Sequence, residues 1–457
     1  MKRKIYSSII LGLLAIGMVS AQAQNQECMT NLSIYFEHYK VKNYDAAYEP
    51  WKMVYETCPS INKANFTAGR KILTHKIKNS SGAEKTSYVQ DYVKLLDDGT
   101  KFFPKSNPHA KNIVDKVLML RDNGMISEDE IYNQLDAAFK ADRKNFKNPR
   151  GLYLYFSTLV DLNMAGKKDL QEVFDVYDAV QGKIEEENQK MIGLVQKLLP
   201  KEEAKTLSAK EKRQLKAARV NSESYGKIAD SIDAKLGQLA DCDNLIPLYQ
   251  KNFDAKKGDI KWVKSAVSRL YTKECTDDPM FEKLFTEQLK LDPSADAYFY
   301  SGVLKDKSGN TNGAIADYNK AIELEADPKR KAEILYKIAT KMNRLGRKGQ
   351  ARSYARKALQ ADPSMGKAHL IIAAQYAKSA NQCGKTTFEK RAIYWKAAEE
   401  ARKAARVNPA LKSRVARTVA NYMAKAPTKT MIFNEGMAGK SVTFDCWVGG
   451  SVKVPNL

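Results

Sequence analysis

Three copies of one short pattern constrain the fold of this chain more than any other feature. In each copy an Ala is followed four positions later by a small or aromatic residue, and three positions after that by another Ala. The copies occupy 314–321, 351–358 and 397–404, and each is followed by Asp-Pro or Asn-Pro. Self-similarity at a period in the thirties is typical of stacked helical pairs. The sequence therefore predicts a helical repeat protein rather than one globular core.

The first 23 residues have the pattern of a secretory signal peptide. Residues 2–4 are basic, 9–19 form an apolar run, and 21–23 read Ala-Gln-Ala, a small-x-small cleavage site. The apolar run is too short for a membrane span, so an uncleaved anchor is the less favoured alternative. No later stretch of sequence is apolar enough to cross a bilayer. We therefore expect a periplasmic protein, with association with the outer membrane as a further option.

Export would place the six cysteines in an oxidising compartment, where an even number indicates disulfides. Six cysteines allow 15 pairings. In a pair of neighbouring antiparallel helices, the start of the first helix lies beside the end of the second. We therefore expect a disulfide between two cysteines that bracket such a pair. This rule gives two bridges, and elimination gives the third. The predicted bridges are Cys28–Cys58, Cys242–Cys275 and Cys383–Cys446. A zinc site is the less favoured alternative, because no C-x-x-C occurs and no His lies close to a Cys pair.

The net charge of +23 is concentrated in one part of the chain. Residues 329–425 contain 24 Lys and Arg against five acidic residues, a net charge of +19. Such an excess fits a positive face for an anionic partner, which could be lipid phosphate, an acidic protein or a charged glycan. An equally weighted alternative is a solvated helix surface without a partner. Export makes nucleic acid a poor candidate despite the high isoelectric point.

Changes in composition divide the chain into segments. The predicted segments are 1–23 (signal peptide), 24–167 (N-terminal helical pairs), 168–240 (long helical hairpin), 241–427 (repeat solenoid) and 428–457 (β-hairpin tail). The hairpin joins two Lys/Glu-rich helices at 200–203 and should stand partly clear of the repeats. It is either a solvated insertion, the favoured reading, or a partner contact. The tail alternates apolar and polar residues around Gly449-Gly450, which predicts two short strands and a turn.

The repeats resemble the tetratricopeptide repeat. One repeat has Tyr298, Gly302, Ala314, Tyr318 and Ala321 at the family's positions, and the next, from Leu335 to Pro363, is in full register. A third, from His369 to Pro409, carries about 12 extra residues between its helices. The whole plan resembles exported tetratricopeptide proteins of Bacteroidetes-type bacteria. The resemblance implies an all-α fold: an α-solenoid of helical pairs with an inserted long helical hairpin and a small C-terminal β-hairpin.

In this family the first helix of each pair lines the concave face, where a peptide or helix of a partner can bind. The Lys and Asn with which some members clamp a terminal carboxylate are replaced here by Phe299 and Val303. An aromatic groove rimmed by Lys and Arg remains, with ordinary packing between repeats as the alternative for each residue. The candidate binding residues, from this groove and from the densest basic runs, are Phe299, Tyr336, Asn343, Arg344, Arg347, Lys348, Lys378, Arg402 and Lys403.

The sequence contains little that indicates an enzyme. The four His are isolated, and neither a glycine-rich phosphate loop nor G-x-S-x-G occurs. We therefore predict a protein without catalytic residues, metal or cofactor. The first function to consider is a protein–protein interaction scaffold in the cell envelope, as a subunit or assembly factor of an envelope complex. The second is a binder of anionic lipid or cell-wall glycan, and the third is an enzyme without a recognisable motif.

Overall fold

The structure is a computed structural model that describes residues 26–457, so the predicted signal peptide lies outside the described residues. The prediction of an all-α fold is confirmed, because a single two-stranded sheet is the only β-structure in the described part. The chain forms two compact units that divide between Lys168 and Asp169. The boundaries of the five predicted segments stay a prediction.

The first unit is a series of helices that pack against each other in chain order. They are α1 (26–40), α2 (Tyr44–Thr57), α3 (Ala64–Asn79), α4 (Gly82–Phe102), α5 (His109–Asp122), α6 (Glu128–Ala141) and α7 (Pro149–Met164). The indole nitrogen of Trp51 donates to the Asn65 carbonyl (2.9 Å), and the Tyr35 hydroxyl donates to the Asn65 side chain (2.6 Å). Ser127 and Glu130 form a capping box at the start of α6. The two bonds to Asn65 satisfy the polar atoms of Trp51 and Tyr35 within a buried core of aromatic and aliphatic side chains.

The second unit contains a long hairpin, the repeats and the tail. Its helices are α8 (Leu170–Glu203), α9 (Ala209–Leu236), α10 (Cys242–Lys256), α11 (Ile260–Thr272), α12 (Pro279–Leu291), α13 (Ala295–Lys307), α14 (Thr311–Leu324), α15 (Pro328–Arg344), α16 (Lys348–Ala361), α17 (Gly366–Ala377), α18 (Thr387–Val407), α19 (Lys412–Lys425) and α20 (Lys429–Asn434). Short 3-10 turns cover Ala380–Gln382 and Pro409–Leu411. The six-residue helix α20, capped by Thr428, was absent from the sequence prediction.

The helical pairs α13–α14, α15–α16 and α17–α18 pack closely through the small residues that the repeat pattern predicted. The ring of Tyr318 lies directly against Gly302, and a Cβ at residue 302 would lie 2.5 Å from Cε1 of that ring. In α16, Ala351, Ala355 and Ala358 are all fully buried. Small side chains let two helices approach until the larger neighbours interlock. The second unit therefore contains tetratricopeptide-like helical pairs.

The three disulfides are those predicted, Cys28–Cys58, Cys242–Cys275 and Cys383–Cys446. The last of them joins the segment before α18 to the tail. There β1 (Ser441–Thr443) and β2 (Ser451–Lys453) pair antiparallel, with Val442 opposite Val452. The guanidinium of Arg352 donates to the carbonyls of Trp447 and Val448, and the ammonium of Lys396 donates to that of Ser451 (3.2 Å). Side chains of α16 and α18 thus hold the turn of the tail.

The prediction for the hairpin join was wrong in position. Helix α8 continues through Pro200 to Glu203, and the loop covers 204–208. A proline inside a helix removes one backbone hydrogen bond, and buried contacts of Val195 and Leu198 with Leu215 of α9 hold this last part of α8 in place. The helix ends at Glu203. In the loop that follows, Lys205 has a left-handed φ of 58°, and the Thr206 amide donates back to the Lys201 carbonyl (2.9 Å).

A buried ion pair lies inside the hairpin. The ammonium of Lys183, which is fully buried, lies 2.6 Å from the carboxylate of Glu187, and Lys190 lies 2.7 Å from the same oxygen. Burial opposes ionisation of Glu187, but the hydrogen bonds from Lys183 and Lys190 outweigh it and hold the pKa of Glu187 below its usual value. The ionised form is therefore the one that stabilises the fold.

We predict that Gly302→Ala destabilises the second unit by about 1–3 kcal/mol, because the added methyl must displace the buried Tyr318 ring. Gly349→Ala is the matched control, since a Cβ at that position in α16 meets no atom within 4 Å. It should leave stability unchanged or raise it slightly, as Ala favours a helix more than Gly does. Urea unfolding, followed by hydrogen exchange in α13 and α14, measures both. Equal effects of the two changes would contradict this packing.

Glu187→Gln should lower stability at neutral pH by about 1–3 kcal/mol, because it removes the nearest carboxylate from the buried Lys183 and leaves the more distant one of Glu186 (3.3 Å). In the unchanged protein, the contribution of Glu187 is present above its unfolded pKa, about 4.3, and is lost as the pH falls through its lower folded pKa. In the Glu187→Gln variant, stability should no longer fall by this contribution as the pH is lowered. The control Glu185→Gln, at an exposed position of α8, should still show the fall. Thermal unfolding between about pH 3 and pH 7 measures the difference.

Candidate interaction surface

The first helices of the pairs form one continuous row in the second unit. Helix α13 packs on α15, and α15 packs on α17, in addition to their contacts with their own partners. This row, which we call the helix A surface, is the face on which the sequence placed the candidate groove. Its two ends differ: the long hairpin covers part of the N-terminal ends of α15 and α17, and basic residues gather at the C-terminal ends.

The long hairpin does not stand clear of the repeats. The carboxylate of Asp178 in α8 accepts from the Ser265 hydroxyl (2.8 Å) and from the guanidinium of Arg269 (2.7 Å), both in α11. Further along α8, Gln189 accepts from the ammonium of Lys329 at the start of α15 (3.2 Å). Helix α8 therefore runs from α11 towards the beginning of α15.

The second helix of the hairpin meets the last repeat. A Cβ at Gly226 of α9 would lie 2.0 Å from the carbonyl oxygen of Ala410, so only glycine permits this approach. Two ion pairs flank the contact: Glu223 with Lys412 (2.7 Å) and Glu203 with Arg406. In both pairs the hairpin supplies the acid and the repeat supplies the base. Part of the positive charge counted in the repeats is thus neutralised inside the molecule.

A groove of about 530 Å³ lies between α8 and the N-terminal ends of α15 and α17. The half-buried ring of Tyr336 lines it, together with Glu185, Lys337 and Lys367. Lys337 forms an ion pair with Asp296 and lies over the rings of Phe299 and Tyr300, 5.7 Å from each centroid. The groove therefore contains both signs of charge and does not favour one kind of ligand.

At the other end of the helix A surface, five predicted residues come together in what we call the edge cluster: Asn343, Arg344, Arg347, Lys348 and Lys378. The amide oxygen of Asn343 accepts from the ammonium of Lys378 (2.9 Å), and Lys348 donates to the Lys378 carbonyl (3.0 Å). Arg344 pairs with Glu274 (3.4 Å) and Arg347 with the buried Asp306 (3.3 Å). These contacts fix the positions of the side chains.

Lys341 belongs to this cluster but was missed from the sequence. It is half-buried in the last turn of α15, and no hydrogen-bond or ion-pair partner of its ammonium is found in residues 26–457. Burial lowers the pKa of Lys341, and although the nearby Asp306 carboxylate opposes this, the charges of Arg344, Arg347 and Lys307 act in the same direction as burial. Its spacing of three residues from Arg344 was the available signal, because such positions share one helix face. A half-buried cation beside like charges is a place where an anionic group would be favoured.

The remaining candidate residues lie elsewhere. Phe299 is fully buried and packs edge-on against Tyr271, with 5.3 Å between the ring centroids, so it fills the space between repeats and does not line an open groove. Arg402 and Lys403 lie on α18, a second helix of a pair, outside the helix A surface. Lys403 pairs with Glu400 (2.8 Å), which also binds His369 (2.6 Å).

In the part of the chain that the structure describes, no three His, Cys, Asp or Glu side chains are grouped so that they could hold a metal ion. The described helices also include none with both the length and the apolar character of a membrane span.

No protein-family model matches the chain, and no curated protein matches it. Similar solved structures include a tetratricopeptide repeat protein from Parabacteroides merdae ATCC 43184, at 14% identity over 68% of this chain and 97% of that chain, with a TM-score of 0.23. Yeast Tom70 is similar at 12% identity over 88% of this chain and 96% of that chain, with a TM-score of 0.24. Because these TM-scores are low, the tetratricopeptide-like assignment rests on the packing of Gly302, Tyr318 and the buried alanines.

We predict that Gly226→Ala separates α9 from the last repeat, because a methyl group cannot occupy the position of the Ala410 carbonyl. Stability should fall by about 1–3 kcal/mol, and hydrogen exchange in α9 should accelerate. The control is Gly193→Ala in α8 of the same hairpin, where a Cβ would meet no atom within 4 Å. That change should raise stability by up to about 1 kcal/mol. Unchanged exchange in α9 of the Gly226 variant would show that the contact does not hold the hairpin.

Proposed function

We propose that the protein is a non-catalytic interaction scaffold that binds a protein partner in the periplasm, as a subunit or assembly factor of an outer-membrane or other envelope complex. The edge cluster carries this proposal. It presents fixed cations and one amide at one end of the helix A surface, and the half-buried Lys341 beside them has no hydrogen-bond or ion-pair partner within the described residues. An acidic side chain of a partner protein would relieve the repulsion among these cations.

The compartment is supported by two independent features. The first is the signal-peptide pattern of residues 1–23. The second is the presence of three disulfides that use all six cysteines, which fits an oxidising compartment. A scaffold also needs a rigid surface, and each bridge that closes a loop restricts the unfolded chain.

Binding of anionic lipid or cell-wall glycan through the basic repeats is the alternative function. The structure gives this alternative less support than the number of basic residues in the sequence suggested, for one reason. Arg406, Lys412 and Arg417 face acids of the hairpin, namely Glu203, Glu223 and Asp230. These cations are therefore less available to a flat anionic surface than their number in the sequence implies.

The scaffold function predicts that tagged protein purified from detergent-solubilised envelope retains a specific protein partner. Recovery of that partner should fall about tenfold when Lys341, Arg344 and Lys378 are all changed to Gln, because charged contacts at an interface are removed together. The control is Arg402→Gln with Lys403→Gln on α18, which should leave recovery unchanged.

Two results would contradict the scaffold function. One is a purification that returns no protein partner. The other is an equal fall in partner recovery in the Lys341, Arg344, Lys378 variant and in the Arg402, Lys403 control. Salt-sensitive sedimentation with anionic vesicles or sacculi, reduced by the Arg402 and Lys403 changes, would instead favour the alternative function.

A further inference from the structure

The acids at the tip of the long hairpin are all used inside the molecule. Glu202 binds the guanidinium of Arg219 through two hydrogen bonds of 2.7 Å. Glu203 pairs with Arg406 of the last repeat. Glu211 pairs with Lys201 (2.6 Å) and accepts from the Ser208 amide (2.9 Å), which closes the capping box of α9. None of the three is left to neutralise the other cations of the tip.

Those other cations are exposed. They are Lys205, Lys210, Lys212, Arg213 and Lys216, and no side-chain hydrogen bond or ion pair of theirs is found in residues 26–457. In α9 the buried residues Leu215 and Ala218 face α8. At 100° per residue, Lys212, Lys216 and Val220 lie about 60°, 100° and 140° around the helix from Leu215, so they follow one exposed flank of α9. The result is a cationic face on a helix whose other side is fixed.

A groove of about 350 Å³ runs between this face and the corner that joins α18 to α19. Leu207, Val220, Ala405 and Pro409 supply apolar surface, and Val220 is 54% exposed. Lys212, Lys216 and Lys412 also line it. The other charged residues of the lining are Arg219 and two acids, Glu202 and Glu223, which are already paired with Arg219 and Lys412. The contact of Gly226 with Ala410 and the pair of Glu223 with Lys412 hold its two walls together.

We propose that this groove binds an acidic amphipathic segment of a partner protein, with apolar side chains on Val220 and Leu207 and carboxylates on Lys212 and Lys216. The inference rests on the scaffold function proposed above and adds a second surface with a defined partner chemistry. A protein segment fits better than a membrane, because the apolar surface lies between two walls that a flat bilayer cannot enter. Apolar anchors with charges around them are also the pattern of helix-in-groove recognition.

The probe is a fluorescent synthetic helical peptide of Glu and Leu, with Leu at every third or fourth position, titrated with the full-length exported protein. Its affinity should fall about tenfold in the double variant Lys212→Glu, Lys216→Glu, because two attractions become repulsions. The control reverses two exposed lysines on other helices, Lys251→Glu and Lys261→Glu, which gives the same change in net charge. The control affinity should stay within about threefold of the original, since distant surface charges are screened by salt.

Val220→Ser tests the apolar contribution, and we expect it to weaken the peptide by about threefold to tenfold. A scrambled peptide of the same composition should bind more weakly than the amphipathic one. The proposal is overturned by equal binding of the two peptides, by equal loss in both charge variants, or by binding of anionic vesicles without binding of the peptide.

The experiments can distinguish failure of the peptide-binding proposal for the groove from failure of the proposed scaffold function. Purification from solubilised envelope with the Lys212, Lys216 variant supplies the second measurement. Suppose that the partner is recovered at the original level but the unchanged protein does not bind the peptide. This result would contradict the proposal for the groove and would leave the scaffold function in place.

Discussion

Close approach of helices through residues with little or no side chain is the constraint on which the rest of the second unit depends. Gly302 lies beneath Tyr318, the alanines of α16 are fully buried, and Gly226 meets the carbonyl of Ala410. At such contacts there is no room for Lys, Arg or Glu, which are abundant in this chain. The long charged side chains therefore collect on edges and faces away from the contacts, and this sorting creates the edge cluster and the cationic face of α9.

The distribution of charge follows from one long-range arrangement. The repeats carry most of the net positive charge, and the hairpin supplies acids to them at Glu203, Glu223 and Asp230. The pairs lie largely at the surface, so each contributes little to stability alone. Their joint effect is positional, because they hold the hairpin in the orientation that the Gly226 contact permits. A count of charges along the sequence consequently overstates the positive charge that a partner would meet on the last repeat.

Local patterns made much of the fold predictable. The repeat spacing, the cysteines that bracket helical pairs and the alternation in the tail each depend on residues close in sequence or on one repeated geometry. The docking of the hairpin was not predictable, because Glu203 and Arg406 are 203 positions apart and neither residue has a local signal for the other. The prediction that Phe299 lines the groove failed for a related reason. A helix A residue can face either the groove or the next repeat, and its spacing alone does not distinguish the two.

Besides the acids Glu274 and Asp306 that pair with its arginines, the positions of the helix ends favour the cations of the edge cluster. Lys341 and Arg344 lie in the last turn of α15, and Lys305 and Lys307 lie in the last turn of α13. The C-terminus of a helix carries a partial negative charge, which favours cations there before any ligand binds. The hairpin instead approaches the N-terminal ends of α15 and α17. Since the two ends of α15 are separated by its 17 residues, or about 25 Å, a partner at the edge cluster would not need to displace the hairpin.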